Sequence, residues 1–151
     1  METYQLVYQS QSLVPFALAE LAELLRRARA YNRRQDLTGI LLYTPDGRFL
    51  QVLEGPAPAV RHLYFNRIAP DPRHGDVRVF SEGPALWRSF AGWPLAFCTA
   101  SATDLRTLLS SVPPDTPALL VPRAHTRPEL MALLLDFAAP SLQEAVLEEE
   151  R

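Results

Sequence analysis

Two apolar segments joined by a short turn constrain this chain more than any other feature. LTGILLY (37–43) and RFLQVLE (48–54) are strand-length runs of aliphatic and aromatic residues, and Pro45-Asp46-Gly47 between them is a typical hairpin turn sequence. Both faces of RFLQVLE carry apolar side chains, so the hairpin calls for cover on both sides.

The rest of the chain supplies that cover. YQLVYQ (4–9) reads as a first strand. Pro15 opens a helical pattern in which Leu18, Leu21, Leu25, Ala28 and Asn32 recur at spacings of three and four. Val60, Leu63, Tyr64, Arg67 and Ile68 make a second, closed by Pro70, which cannot continue the hydrogen-bond ladder. DVRVFSE (76–82) and WPLAFCT (93–99) read as two further strands. The predicted order is β-α-β-β-α-β-β, the ferredoxin-like α+β arrangement with both helices on one face of a sheet. Thr103–Ser111 and Pro128–Phe137 predict two tail helices. They are expected to cover the second face, because leaving it wet costs roughly 25 cal/mol per Å². The expected organisation is a domain over residues 1–99 and a helical extension over 100–151 packed on the sheet, ending in the solvated acidic segment EAVLEEER.

Composition removes several classes of function. A length of 151 residues suits one domain with a single core. A net charge of −2 argues against a nucleic-acid partner, which requires a basic face. The 14 prolines are dispersed, clustering only near Pro113–Pro122, and read as turns. The single cysteine cannot form an internal disulfide. The N-terminus has no leader-like pattern and no apolar run is long enough to span a membrane, so a soluble, cytoplasmic chain without membrane contact is expected. His62, His74, His125 and Cys98 show no ligand spacing, so no metal site is expected; Cys98 reads as a buried small apolar residue.

Polar side chains on faces that should be apolar carry the functional signal. Gln51 shares a strand face with Phe49 and Leu53, with Leu50 and Val52 on the other. A buried amide without partners costs roughly 1–3 kcal/mol, so it either bonds neighbouring backbone or serves a ligand. Asn32 falls on the apolar stripe fourteen residues after Leu18, although asparagine near a helix end is also a common cap. Arg67 lies on the apolar stripe of the second helix, as a snorkelling stem or as a ligand contact, with Asp71 just after Pro70. Tyr8 alternates with Leu6 and Tyr4 and is by default a core aromatic with one hydrogen-bond partner. Together they bring a phenol, two amides, a guanidinium and a carboxylate towards one side of a small sheet, where a polar planar ligand between the helices would satisfy them.

The segment LTGILLYTPDGRFLQVLEGPAPAV, with VYQS and Asn32 before it and DPRHGDVRV and W-x-L after it, resembles BLUF domains over residues 3–98. The tail resembles the two helices of the short, single-domain members. The resemblance implies FAD, its ring held between the two helices. It implies that Tyr8 gives an electron and a proton to the excited flavin, and that Gln51 bridges that tyrosine and the flavin and rearranges its hydrogen bonds on illumination. Asn32 would hold the O4/N3 edge, while Arg67, Asp71, Arg73 and His74 match polar positions around the ring and sugar-phosphate chain. Trp93 matches a strand-five tryptophan near the glutamine.

Two departures stand out. Tyr31 replaces a residue that in relatives is often Asn or His beside the ring. Leu95 stands where the family usually has methionine, after Pro94, which bears on how a signal leaves through Trp93 and Leu95. The chain after residue 100 is too short for an enzymatic output domain, so a non-enzymatic photoreceptor is expected, acting through a contact surface. Relatives of the short form imply a homo-oligomer and a separate downstream signalling protein.

Other owners of this topology fit less well. An acylphosphatase-type enzyme needs a glycine-rich anion loop where this chain has QSQSLVP, and an RNA-recognition domain needs exposed aromatics where RFLQVLE offers only Phe49. A flavin-free interaction or oligomerisation module is the remaining alternative, and Tyr8, Asn32 and Gln51 weigh against it.

Overall fold

The computed structural model describes residues 3–110 and 128–149. The elements are β1 (Thr3–Ser12), α1 (Leu18–Arg34), β2 (Thr38–Tyr43), β3 (Arg48–Gly55) and α2 (Ala57–His62), which runs on into a π-helical turn (Leu63–Ile68). Then come β4 (His74–Ala85), β5 (Ala96–Thr99), α3 (Ala102–Ser110) and α4 (Pro128–Glu149). The proline-rich link at 113–122 and His125 lie outside the described residues.

The five strands lie in the order β4-β1-β3-β2-β5. β1 pairs antiparallel with both β3 and β4, β2 antiparallel with β3, and β5 parallel beside β2. This is the ferredoxin-like sheet that the element order predicts, with a fifth strand added at one edge. The hairpin between β2 and β3 closes as expected, with Gly47 taking the left-handed φ of 87° that its turn requires.

Strand alternation divides the core into two layers. Val7, Ile40, Leu42, Leu50 and Val52 point to one face, where α3 and α4 cover them with Leu105, Leu108, Leu130 and Leu134. The tail helices thus bury the second face of the sheet. Leu6, Tyr8, Leu41, Phe49 and Leu53 point the other way, towards α1 and α2. Gly39 sits where β2 comes close to β3: a Cβ there would lie 1.8 Å from the Val52 carbonyl oxygen.

Several boundaries differ from the sequence reading: β1 and β4 extend beyond 4–9 and 76–82 at both ends, and three others have a clear cause. The first helix starts at Leu18, not Pro15; Ala17 is extended, and its N–H donates to the Glu20 carboxylate at 3.2 Å. Leu18 is therefore in the first turn, before the helix reaches the sheet, and is 87% exposed. Phe16 reaches the core in its place, edge-on to Phe49 and Tyr43. The last strand begins at Ala96, because Pro94 has no N–H to give to a ladder. Finally, α4 continues through Pro140 to Glu149 instead of ending at Phe137.

Candidate functional site

Tyr8 and Gln51 are register partners on adjacent central strands, and Leu41 faces Gln51 from the other side. Their side chains point to the α1 face. The Tyr8 hydroxyl donates to Gln51 Oε1. The register between β1 and β4 shifts between Val7 and Tyr8, an irregularity of the kind that re-aims side chains beside sites. Burial, with smaller effects from Tyr64 and Asp71, pushes the Tyr8 phenol well above its ordinary value of 10.0. The Tyr64 ring packs against it at 5.3 Å between centroids.

Above this pair opens a cleft of about 710 Å³ between α1 and the π-turn. Tyr8, Gln51, Leu41 and Phe49 form its floor, and Leu95 closes one side. α1 contributes Tyr31 and Asn32, and the π-turn contributes Leu63, Arg67 and Ile68. The π-turn is defined by i→i+5 hydrogen bonding, as in Ala69 N–H to the Tyr64 carbonyl at 2.8 Å. Arg67 lies over the Tyr31 ring, 4.6 Å from its centroid, and so bridges the two walls.

Asn32 is 1% exposed and is not a cap; the helix ends on Gln35. Its Nδ2 donates to the Pro94 carbonyl at 2.7 Å. Its Oδ1 and the Nε2 of Gln51 have no hydrogen-bond partner among the described residues. Two buried amides thus each keep one polar end for something in the cleft, since stranded polar atoms cost free energy.

The mouth is charged. Asp71 accepts from the backbone N–H of Arg73 at 2.9 Å and from its guanidinium at 2.6–3.1 Å, which holds the Asp71 carboxyl below its ordinary value. Glu23 is held down at about 2 by its hydrogen bonds with Arg26 and Arg27. His74 Nε2 donates to the Ile68 carbonyl at 2.6 Å, and Nδ1 lies 3.0 Å from the Ser10 hydroxyl, within hydrogen-bond reach. His74 thereby ties the end of the π-turn to β1.

The structure brings Tyr8, Tyr31, Asn32, Gln51, Arg67, Asp71, Arg73, His74 and Leu95 to one cleft. Trp93 does not join them. It is half-buried and packs against the cluster on the opposite face of the sheet. The fully buried Glu54 escaped that reading. It accepts from Gln5 Nε2 (2.9 Å), Thr38 Oγ1 (3.1 Å) and the backbone N–H groups of Ser89 (2.7 Å) and Phe90 (2.9 Å). The signal was the alternation that exposes Gln51, because Glu54 follows Leu50 and Val52 on their face.

The family model described as "Sensors of blue-light using FAD" matches residues 3–96. The chain belongs to the BLUF family. The photoactivated adenylate cyclase subunit beta of Euglena gracilis is 38% identical over 109 residues, which are 72% of this chain and 12% of that protein. The chain therefore spans a small part of the length of the curated relatives it matches. The dark-state structure of the BLUF protein BlrB is 29% identical, with a TM-score of 0.64 over 88% of this chain and 95% of that one. BlrP1 of Klebsiella pneumoniae, solved with FMN and cyclic diGMP, is 34% identical, with a TM-score of 0.59 over 66% of this chain and 26% of that one. This BLUF domain is a blue-light photoreceptor that binds a flavin. Its cleft suits that ligand: the volume lies within the usual range for small-molecule sites, and aromatic walls and paired amide ends match a flat heterocycle with donors and acceptors on its edge. Among the described residues no helix is long and apolar enough to cross a membrane, and no group of three or more metal-ligating side chains occurs.

Proposed function

We propose that this domain holds FAD between α1 and the π-turn, uses Tyr8 and Gln51 as its photochemical switch, and signals by protein contact without catalysing a reaction of its own. The observation that carries the reading is the Tyr8–Gln51 hydrogen bond at the floor of a cleft into which Gln51 Nε2 and Asn32 Oδ1 bring unused polar ends. Bound flavin supplies blue-light absorption and an excited state that accepts an electron. Tyr8 is the donor in reach, and its hydroxyl proton already points at Gln51. With flavin bound, Tyr8 would give and take back its electron and proton, and the Gln51 amide would keep its rearranged hydrogen bonds until the dark state recovers. An amide has a donor end and an acceptor end, so turning or tautomerising it reverses a hydrogen-bond pattern without moving charge.

Asn32 and Gln51 would hold the polar edge of the ring, Tyr31 would flank it, and Asp71, Arg73 and His74 would shape the entrance. The choice of FAD over FMN rests on the mouth. Arg27 and Arg73 each already face a carboxylate, whereas Arg67 has its charge over Tyr31 and no carboxylate partner among the described residues. Arg67 is thus the cation suited to a diphosphate chain. The yellow protein is expected to release FAD on denaturation, identified by chromatography of the extract. Extracted FMN alone would overturn the FAD assignment, and colourless protein that takes up no added flavin would overturn the site.

In the relatives named for light-activated cyclase activity, the shared segment is a small part of a long protein. Here we infer the same division of labour, with a partner protein, and further copies of the chain, receiving the signal.

The phenol also sets a pH expectation. Because Tyr8 lies above 10.0 in the fold, the unfolded chain ionises it first. Its contribution to stability is full below pH 10 and declines as pH rises beyond it. The light response should keep its amplitude from neutral pH up to pH 10.0 in absorption measurements, since the neutral phenol persists throughout. A loss centred below that value would show that Tyr8 is not shielded from solvent.

A further inference from the structure

Just ahead of β5, the carbonyls of Pro94 and Leu95 are held by α1. The parallel ladder between β2 and β5 runs from Ile40↔Ala96 to Tyr43↔Thr99, so the carbonyls of Pro94 and Leu95 precede it. Asn32 Nδ2 donates to the Pro94 carbonyl at 2.7 Å, and Arg29 Nε donates to the Leu95 carbonyl at 2.9 Å. Positions 29 and 32 are three apart and share a helix face, so one face of α1 holds two consecutive carbonyls. The carbonyl before them, on Trp93, accepts from Gly39 N–H at 3.1 Å.

The two α1 side chains differ in one respect. Asn32 lines the cleft and has its Oδ1 free there among the described residues, whereas Arg29 does not line it. A change in what Asn32 Oδ1 meets turns the amide and loads or releases the Pro94 carbonyl. With Leu95 fixed by Arg29, that change pivots the Pro94–Leu95 peptide. Beyond the pivot, β5 contributes Ala96 and Cys98 to the layer that α3 and α4 cover. Leu95 itself offers no polar atom on its side chain, so the main chain is the polar connection at this position.

We infer that Arg29 is a positioning residue for the light signal: with Asn32 it clamps the Pro94–Leu95 main chain to α1 and so couples the cleft to β5 through backbone carbonyls. This rests on the proposed flavin switch. It makes the side chain at position 95 secondary to the clamp.

The test compares wild type, Arg29→Met, Arg29→Lys and Leu95→Met by visible absorption and by light-minus-dark infrared spectra. Methionine keeps an apolar stem without a donor, and lysine keeps a donor for the carbonyl. The flavin band shift should be the same in wild type and in both Arg29 variants, since Arg29 does not line the cleft. The light-induced amide bands should fall to less than half in Arg29→Met, return towards wild type in Arg29→Lys, and change little in Leu95→Met. In darkness, the Ala96 and Phe97 amides of Arg29→Met should exchange with deuterium about two- to tenfold faster, as loss of one ordinary hydrogen bond implies. Amide bands in Arg29→Met equal to wild type, with a normal flavin shift, would overturn the clamp. Absence of any flavin shift in wild type would instead overturn the photoswitch on which the clamp depends. If Arg29→Met fails to fold, Arg29→Leu takes its place: its side chain carries no donor for the Leu95 carbonyl, so the same loss of amide bands is expected.

Discussion

Replacing Tyr8 by phenylalanine should leave flavin in the cleft and abolish the light response. The substitution removes one oxygen, keeps the ring packed against Tyr64, and deletes the hydrogen bond to Gln51 together with the proton it carries. Wild type should show a flavin band shifted to the red by about 10 nm without bleaching, the size expected for a hydrogen-bond change of about 1 kcal/mol at the chromophore. In Tyr8→Phe the dark spectrum persists and the shift is absent. Gln51→Leu should give the same result by another route, since leucine has neither end of the amide. Both variants retain Asn32, Tyr31 and Arg67 on the walls, so flavin content should stay near that of wild type. Absorption spectra before and after blue light decide the matter, and a normal shift in either variant rejects the assigned switch.

The largest effect on stability is expected at Glu54. Its carboxylate lies in a row formed by its register partners Gln5 and Thr38, and it gathers four donors in a site closed to water. In Glu54→Ala, Gln5 and Thr38 can turn away, but the N–H groups of Ser89 and Phe90 are fixed in the backbone. The Phe90 N–H is buried and the Ser89 N–H part-buried, so stranding them costs roughly 1–4 kcal/mol, against a total of about 5–15 kcal/mol for an ordinary domain. Urea unfolding should therefore show a midpoint lowered by a large fraction, or a protein that does not accumulate folded. Glu54→Gln keeps one acceptor oxygen and should fall between. A loss below about 1 kcal/mol in Glu54→Ala would mean that water reaches the turn and replaces the carboxylate.

Where the sequence spoke clearly, the reason was periodicity with one polar residue out of place. Gln51 is legible because Phe49 and Leu53 fix its face, and Asn32 because fourteen residues return a helix to the same side. Glu54 is legible by the same rule, since it follows Leu50 and Val52 on their face. Trp93 shows what alternation alone misses. Alternation carried back from Phe97 through Leu95 puts position 93 on the cleft side, but Pro94 ends the ladder and the chain turns there. Trp93 consequently packs with the opposite layer. Leu18 failed because a spacing shows which face a residue shares and not whether the helix has yet met the sheet. The Arg29 contact had no signal at all, since its acceptor is a backbone carbonyl 66 residues away.

The π-turn has a consequence for how this chain tolerates changes of length. Its i→i+5 bonds take one residue more per turn than an α-helix does, so the wall from Leu63 to Ile68 contains a spare residue. Deleting one exposed position, Phe65 or Asn66, should be absorbed by reverting to α-helical bonding, with Val60 still on the sheet and Asp71, Arg73 and His74 still at the mouth. The same deletion inside α1, between Leu25 and Arg29, would rotate Asn32 by about 100° and take it out of the cleft. One wall of the cleft is thus an expansion joint, and the other keeps a fixed count.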